Sequence, residues 1–228
     1  ANAATFLELH PDQLVAFGVQ AASPSTLVGS QKLGETVEFP GCEVRRIATF
    51  TEKPELKVAQ RYLSEGGYCW NSGQFAWKAE TILREITAHL PEAGPLLVRI
   101  GEAWDTPARG RVLDELFPTM PKGSIDYKVM QKTSHACSIL LPCSWEDMGT
   151  HAALAGRIGS KCNNNLVHGK AVVLGTENLV LANTDHYVVV AADNLTVVVT
   201  NDTIFVGDRN TDMKALVEDL VQRTPQIV

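Results

Sequence analysis

Apolar positions follow two regimes along this chain. Over roughly the first 160 residues, continuous apolar runs alternate with stretches of helical period; after that only short, closely spaced runs remain. Residues 3–9 read as the end of a helix, which His10-Pro11-Asp12 breaks. Leu14 to Val19 is a nearly unbroken apolar run, the pattern of a strand covered on both faces in a parallel or mixed sheet. Residues 20–42 are rich in Ser, Gly, Pro and Thr and read as loop with at most a short hairpin. Val44–Phe50 is the next strand. Pro54 then opens a helix with Leu56, Ala59 and Leu63 on one stripe, stopped by Gly66-Gly67. Ala79–Leu90 carries Ile82, Leu83, Ile86 and Leu90 on one helical face before Pro91. Residues 92–123 are helical but interrupted by Pro95, Pro107 and Pro118, and Ser124 is placed to N-cap a short helix through Gln131. Ser138–Leu141 is a buried strand and Thr150–Ile158 a helix. Strands alternating with helices predict an α/β layer fold for residues 1–160.

Residues 161–228 differ. Short β-rich pieces at 171–174, 179–181, 187–190, 196–199 and 204–206 are separated by Asn and Asp clusters such as Asn163-Asn164-Asn165 and Asp193-Asn194. That turn chemistry predicts a small all-β appendage or solenoid-like stack. Asp212–Val221 closes the chain as an amphipathic helix with Met213, Leu216, Val217 and Leu220 on one side. Strand faces that are apolar on successive positions need cover, so the tail is expected to pack on the α/β domain and to form a two-fold contact between subunits.

Composition narrows the function classes. The chain has 228 residues, 45% hydrophobic, with a formal net charge of −6. An acidic chain without a basic run is no sequence-independent nucleic-acid binder. No apolar stretch reaches the roughly 18–20 residues of a membrane helix. The five cysteines form no C-x-x-C pair and the histidines are scattered, which points away from a disulfide framework or zinc site and toward a reducing, cytoplasmic setting.

Three polar motifs sit where α/β sheets place ligand groups, after strands or in tight loops. In Glu52-Lys53-Pro54 the carboxylate can hold sugar hydroxyls and the ammonium a phosphate; the pair equally suits a solvated ion pair at a helix start. In Trp70-Asn71-Ser72-Gly73 the amide offers both donor and acceptor, and the same residues also suit a turn under a buried Trp. In Trp145-Glu146-Asp147-Met148-Gly149 a loop carboxylate can serve Mg²⁺ or cap the following helix.

Taken together, these motifs, with Phe50-Thr51 ahead of Glu52, Gln74-Phe75-Ala76-Trp77, Ser124-Ile125-Asp126-Tyr127, Val129-Met130 and the tail segments 195–202 and 214–217, resemble the sugar-1-phosphate nucleotidyltransferases. Among these the likeness is strongest to the mannose-1-phosphate guanylyltransferase family. The resemblance implies a Rossmann-like nucleotidyltransferase sheet, partial in this chain, followed by the β-rich appendage and terminal helix. It implies formation of GDP-mannose and pyrophosphate from GTP and mannose 1-phosphate with Mg²⁺ as cofactor. It places Glu52 and Asn71 on sugar hydroxyls, Lys53 on the sugar phosphate, Gly29 against the sugar, Asp126 in the pocket wall, and Asp147 on the metal.

Two departures stand out. The family's Thr-Gly-Tyr-Gly-Tyr loop reads Thr26-Leu27-Val28-Gly29-Ser30 here, and Gln131 stands where Glu usually precedes a Lys. No Gly-rich phosphate-cradling loop occurs in the sequence; Gly66-Gly67 leads into Tyr68. The chain is therefore expected to match the sugar-binding and C-terminal part of such an enzyme, without the N-terminal nucleotide-binding half, and to be inactive alone. The alternative is a non-catalytic paralogue that binds sugar phosphate or serves assembly.

Overall fold

The computed structural model describes residues 2–148, 154, 157–158, 160–211 and 213–224. They fall into two compact units, Ala1–Trp145 and Glu146–Val228, where the sequence had suggested a division near residue 160.

The first unit opens with helix α1 (Asn2–Leu9), followed by strands β1 (Leu14–Gln20), β2 (Ser30–Val37) and β3 (Val44–Thr51). Helix α2 (Leu56–Glu65) leads into β4 (Tyr68–Trp77), then α3 (Ala79–His89), α4 (Ala93–Ala103), α5 (Arg109–Leu116) and β5 (Ala136–Leu140). The strands pair in the closed order β1-β4-β2-β3-β5. The predicted α/β mixture is present, but only β1 and β5 run parallel; the other pairings are antiparallel. The Rossmann-like expectation is corrected to that extent. Residues 38–43 alone join β2 to β3, too few for the crossover of about a dozen residues that a parallel pair requires.

The unbroken apolar run of β1 has the predicted reason. Val15 packs with Phe6, Leu7, Val44, Cys137 and Ile139 on one face. Leu14 and Ala16 pack on the other with Phe50, Val129, Met130 and Ala136, backed by Ile82 and Ile86 of α3. The stripe predicted for α2 is not buried: only Ala59 is covered, while Leu56 and Leu63 are exposed. Its contact with the sheet is instead aromatic, Tyr62 stacking on Tyr68 with centroids 4.1 Å apart. β2 and β4 occupy segments that the sequence had given to loop and turn.

The second unit contains β6 (Ser160–Cys162), β7 (Asn165–Gly169), β8 (Ala171–Val173), β9 (Leu179–Ala182), β10 (Val188–Val190), β11 (Leu195–Val199), β12 (Ile204–Asp208) and helix α6 (Met213–Arg223). β7, β9 and β11 stack in parallel, as do β8 and β10, so successive rungs lie one above another. Buried asparagines stitch the rungs. Asn165 Oδ1 accepts the Asn178 N–H at 2.7 Å, and Asn178 Oδ1 accepts the Leu195 N–H at 2.9 Å. One or two positions before β7, β9 and β11 the chain passes through positive φ, at Asn164, Glu177 and Asn194. The helix predicted for Thr150–Ile158 falls largely outside the described residues, as do Asp212 and the side chains of Met213 and Val217.

Candidate functional site

Five of the six residues singled out from the sequence converge at one end of the first unit. β3 ends at Thr51, and the chain turns sharply at Glu52-Lys53, with Lys53 held at φ 46°. That left-handed conformation is strained for a lysine. It is fixed partly by Gln131, whose Oε1 accepts the Glu52 N–H at 2.8 Å. Gln131 follows a π-helical turn, Asp126–Met130, closed by an N–H from Gln131 to the Asp126 carbonyl at 2.9 Å. The capping bond predicted from Ser124 is absent: no side chain caps this turn. The wider π turn leaves Asp126 half-buried and facing β4.

Asn71 is not in a turn, as one reading of its motif had it. It lies within β4, 4% exposed, and its N–H donates to the Gly29 carbonyl at 2.7 Å. The β1–β4 register shifts between Ala16 and Gly18, where partner positions jump from Phe75 to Asn71. Gly73, at φ 71°, makes this bulge possible, and Ser72 Oγ ties it to the Phe17 carbonyl at 2.8 Å. The bulge ends the regular ladder right beside Asn71.

The Asn71 amide donates from Nδ2 to Asp126 Oδ1 at 3.1 Å, and its Oδ1 accepts from Gln31 Nε2 at 3.1 Å. Glu52 pairs with Lys53 at 3.4 Å, with the Glu52 side chain 10% exposed and that of Lys53 52% exposed. Burial raises the Glu52 pKa and the Asp126 carboxylate raises it further, while Lys53 opposes both. Gly29 closes the group. A Cβ there would lie 2.6 Å from Glu52 Oε2 and 3.2 Å from the Asn71 Cβ, so a side chain at this position would push the Glu52 carboxylate out of place. The result is a polar corner with two carboxylates, one amide, a half-exposed ammonium and bare backbone. It can accept hydrogen bonds from a hydroxylated ligand and hold an anion at its rim.

Asp147 belongs to the second unit, exposed and outside regular structure, and is not among the residues that the first unit gathers. Among the described residues no group of three or more His, Cys, Asp or Glu side chains could hold a metal. The sequence reading passed over Gln31 and Ser138 and noted Gln131 only as a departure. Gln31 was hidden because its strand was read as loop. A groove of about 900 Å³ opens in the second unit beside β10 to β12, lined by residues such as Val190, Val197 and Val199. Its walls are mainly apolar strand faces, whereas the Glu52 corner is polar and charged.

The chain belongs to the nucleotidyl transferase family, whose model matches residues 10–158. Among its relatives is the mannose-1-phosphate guanylyltransferase of Sinorhizobium fredii, 32% identical over 204 residues, covering 86% of this chain and 38% of that protein. The mannose-1-phosphate guanylyltransferase of Escherichia coli is 32% identical over 213 residues, covering 91% of this chain and 45% of that one. The crystal structure of mannose-1-phosphate geranyltransferase from Thermus thermophilus matches with a TM-score of 0.70 and 29% identity, over 97% of this chain and 63% of that chain. The chain thus spans less than half the length of these two curated relatives.

Proposed function

We propose that this chain supplies the sugar-1-phosphate site of a mannose-1-phosphate guanylyltransferase. The observation that carries the reading is the convergence of Glu52, Asn71 and Asp126 on side-chain-free Gly29, with the Lys53 ammonium at the rim. Glu52 and Asp126 accept from sugar hydroxyls and Asn71 donates to one. Lys53 neutralises the sugar phosphate, and the bare backbone at Gly29 lets the ring approach. The reaction is attack of a mannose 1-phosphate oxygen on the α-phosphorus of GTP. One P–O bond forms, the bond to the β-phosphate breaks, and pyrophosphate leaves with the electron pair. The chain's part is alignment and charge neutralisation, without a covalent intermediate.

By the family resemblance Asp147 would offer one carboxylate to Mg²⁺, and the ion would supply neutralisation of phosphate charge. The second unit serves assembly as a homodimer, with exposed Tyr187, Val189, Ile204 and Val206 as its apolar contact surface. No described helix is long and apolar enough to cross a membrane.

Calorimetric titration of the chain with mannose 1-phosphate and with mannose tests the site. Saturable binding is expected, and Lys53→Ala should weaken mannose 1-phosphate by roughly 10- to 150-fold, the range of a charge-assisted contact of about 1.5–3 kcal/mol, while leaving mannose unchanged. No saturable binding, or an equal loss for both ligands, rejects it. Pyrophosphate release from GTP separates a catalytic site from a binding-only one.

A further inference from the structure

We propose that Gln31 is a positioning residue that fixes which face of the Asn71 amide the ligand meets; this rests on the sugar-phosphate reading of the site. Gln31 sits on β2, 0% exposed, with backbone partners Phe50 on one side and Cys69 on the other. A carboxamide sealed into a sheet interior is unfavourable unless its polar atoms are paired. The partners here all run one way. Ser138 Oγ, also 0% exposed, donates to Gln31 Oε1 at 2.7 Å, and Cys69 Sγ donates to the same oxygen at 3.6 Å. Burial pushes the Cys69 pKa up to about 11, so the thiol keeps its proton at neutral pH.

With Ser138 Oγ and Cys69 Sγ donating to Oε1, Nε2 turns toward Asn71, and the acceptor-only Asp126 carboxylate at the far end of the relay selects the same polarity. The Asn71 Oδ1 is thereby occupied at 3.1 Å, and Nδ2 must face Asp126 Oδ1 at 3.1 Å. The other orientation of Asn71 would set a carbonyl against a carboxylate and an N–H₂ group against another, leaving buried groups unpaired. Asn71 therefore meets the ligand as a donor, while Asp126 and Glu52 meet it as acceptors. The far end of the relay needs Gly18, where a Cβ would lie 2.5 Å from Cys69 Sγ and 2.9 Å from Ser138 Oγ.

The test uses the whole chain and mannose 1-phosphate calorimetry with two variants. Gln31→Met keeps the length and removes the polar atoms; affinity should fall about five- to tenfold, the equivalent of one neutral hydrogen bond. Gln31→Glu keeps the shape, and at a position with no exposure and no neighbouring cation burial keeps the introduced carboxyl protonated at neutral pH, so that it still donates to Asn71 Oδ1. Affinity should therefore stay closer to wild type than in Gln31→Met at neutral pH and fall as the carboxyl ionises on raising the pH, when the wild type shows no such fall. Gln31→Met binding within twofold of wild type, or a Gln31→Glu pH profile parallel to wild type, overturns the proposal. If wild type itself fails to bind, the sugar-phosphate reading fails, and the relay is then decided without ligand. The Asn71 side-chain N–H₂ resonances should move in Gln31→Met, and their staying in place overturns it.

Discussion

Glu52→Gln separates what the corner does for the ligand from what it does to the fold. The side chain is 10% exposed and faces the Asp126 carboxylate, and burial and that neighbour together hold its carboxyl above the usual range. The half-exposed Lys53 offsets this only in part, since an ion pair open to solvent is worth about 0–1 kcal/mol. Charge at Glu52 is thus a burden on the folded state, and the neutral isostere should raise the urea midpoint at neutral pH. For binding the sign reverses. Charge-assisted hydrogen bonds are roughly twice as strong as neutral ones, a difference of about 1 kcal/mol each. On the proposed contacts, two sugar hydroxyls on Glu52 would give about 2 kcal/mol, or a roughly 30-fold loss of mannose 1-phosphate affinity.

The pH dependence follows from proton binding. With its folded pKa above its unfolded one, the folded state holds more protons between the two values, so the contribution of Glu52 to stability falls as pH rises through that window. The stability gained by Glu52→Gln should be absent in acid and complete above the folded pKa. All four tryptophans, Trp70, Trp77, Trp104 and Trp145, lie in the first unit, so their fluorescence follows its unfolding separately from the second. A variant less stable than wild type at neutral pH, or a difference that ignores pH, would refute the account of the corner. So would unchanged affinity.

Four further outcomes follow from the same geometry. Gly29→Ala should abolish saturable mannose 1-phosphate binding in calorimetry, since its Cβ would sit 2.6 Å from Glu52 Oε2, and should leave Trp fluorescence unfolding close to wild type. Glu85 is buried beside His135 at 3.1 Å and His89 at 3.4 Å; burial pushes its pKa up, but bonds from Thr133 and His135 outweigh this and the net shift is downward. Its stabilisation is therefore complete above the unfolded pKa and lost as pH falls through the folded one, so Glu85→Gln should lose stability at neutral pH and match wild type in strong acid, measured by urea unfolding. Asn178→Ala strips the Leu195 N–H and the Ala192 carbonyl of their partners at 2.9 and 2.7 Å; at about 1–3 kcal/mol for each buried group, hydrogen exchange over residues 165–199 should accelerate while the first unit is unchanged. Val189→Asp with Ile204→Asp, at two exposed apolar positions, should convert a dimer to monomer in light scattering, and an unchanged mass places the contact elsewhere.

Elements whose burial is simple were legible in the sequence. β1 announces itself because both of its faces are covered, and α3 because Ile82 and Ile86 recur at helical spacing on the core side. β2 and β4 were not. β2 reads Ser-Gln-Lys-Leu-Gly-Glu-Thr-Val, with only its first two residues buried and both of them polar, and β4 is broken by the Gly73 bulge. Polar relays and bulges erase the period-two signal where a site is built. The stacked rungs left a clearer trace than their strand lengths suggested: Asn164, Asn178 and Asn194 stand directly before β7, β9 and β11, and the ladder of Asn165 and Asn178 is that trace in three dimensions. The corner residues Glu52, Lys53 and Asn71 stood out by motif. Gln31 could be seen only once its strand was known to be buried.

Much of what is unfavourable in the first unit is gathered at one place. Lys53 adopts a left-handed backbone, Glu52 is charged where burial opposes it, Gln31 and Ser138 are polar with no exposure, and Gly29 presses bare backbone against Glu52 and Asn71. Each is tolerated because neighbours over-determine it: Gln131 holds the Glu52 turn, Asp126 and Gln31 hold Asn71, and the apolar faces of β1 anchor the strands beneath. Strain held in this way is pre-organisation, since a ligand meeting the corner finds donors and acceptors already aimed and has little ordering left to supply. The same logic explains why Glu52→Gln should trade binding against stability, whereas Asn178→Ala should lower stability alone. Binding and folding respond in opposite directions at Glu52 and in only one at Asn178, and that difference in sign identifies which buried polar groups serve a ligand and which serve the fold.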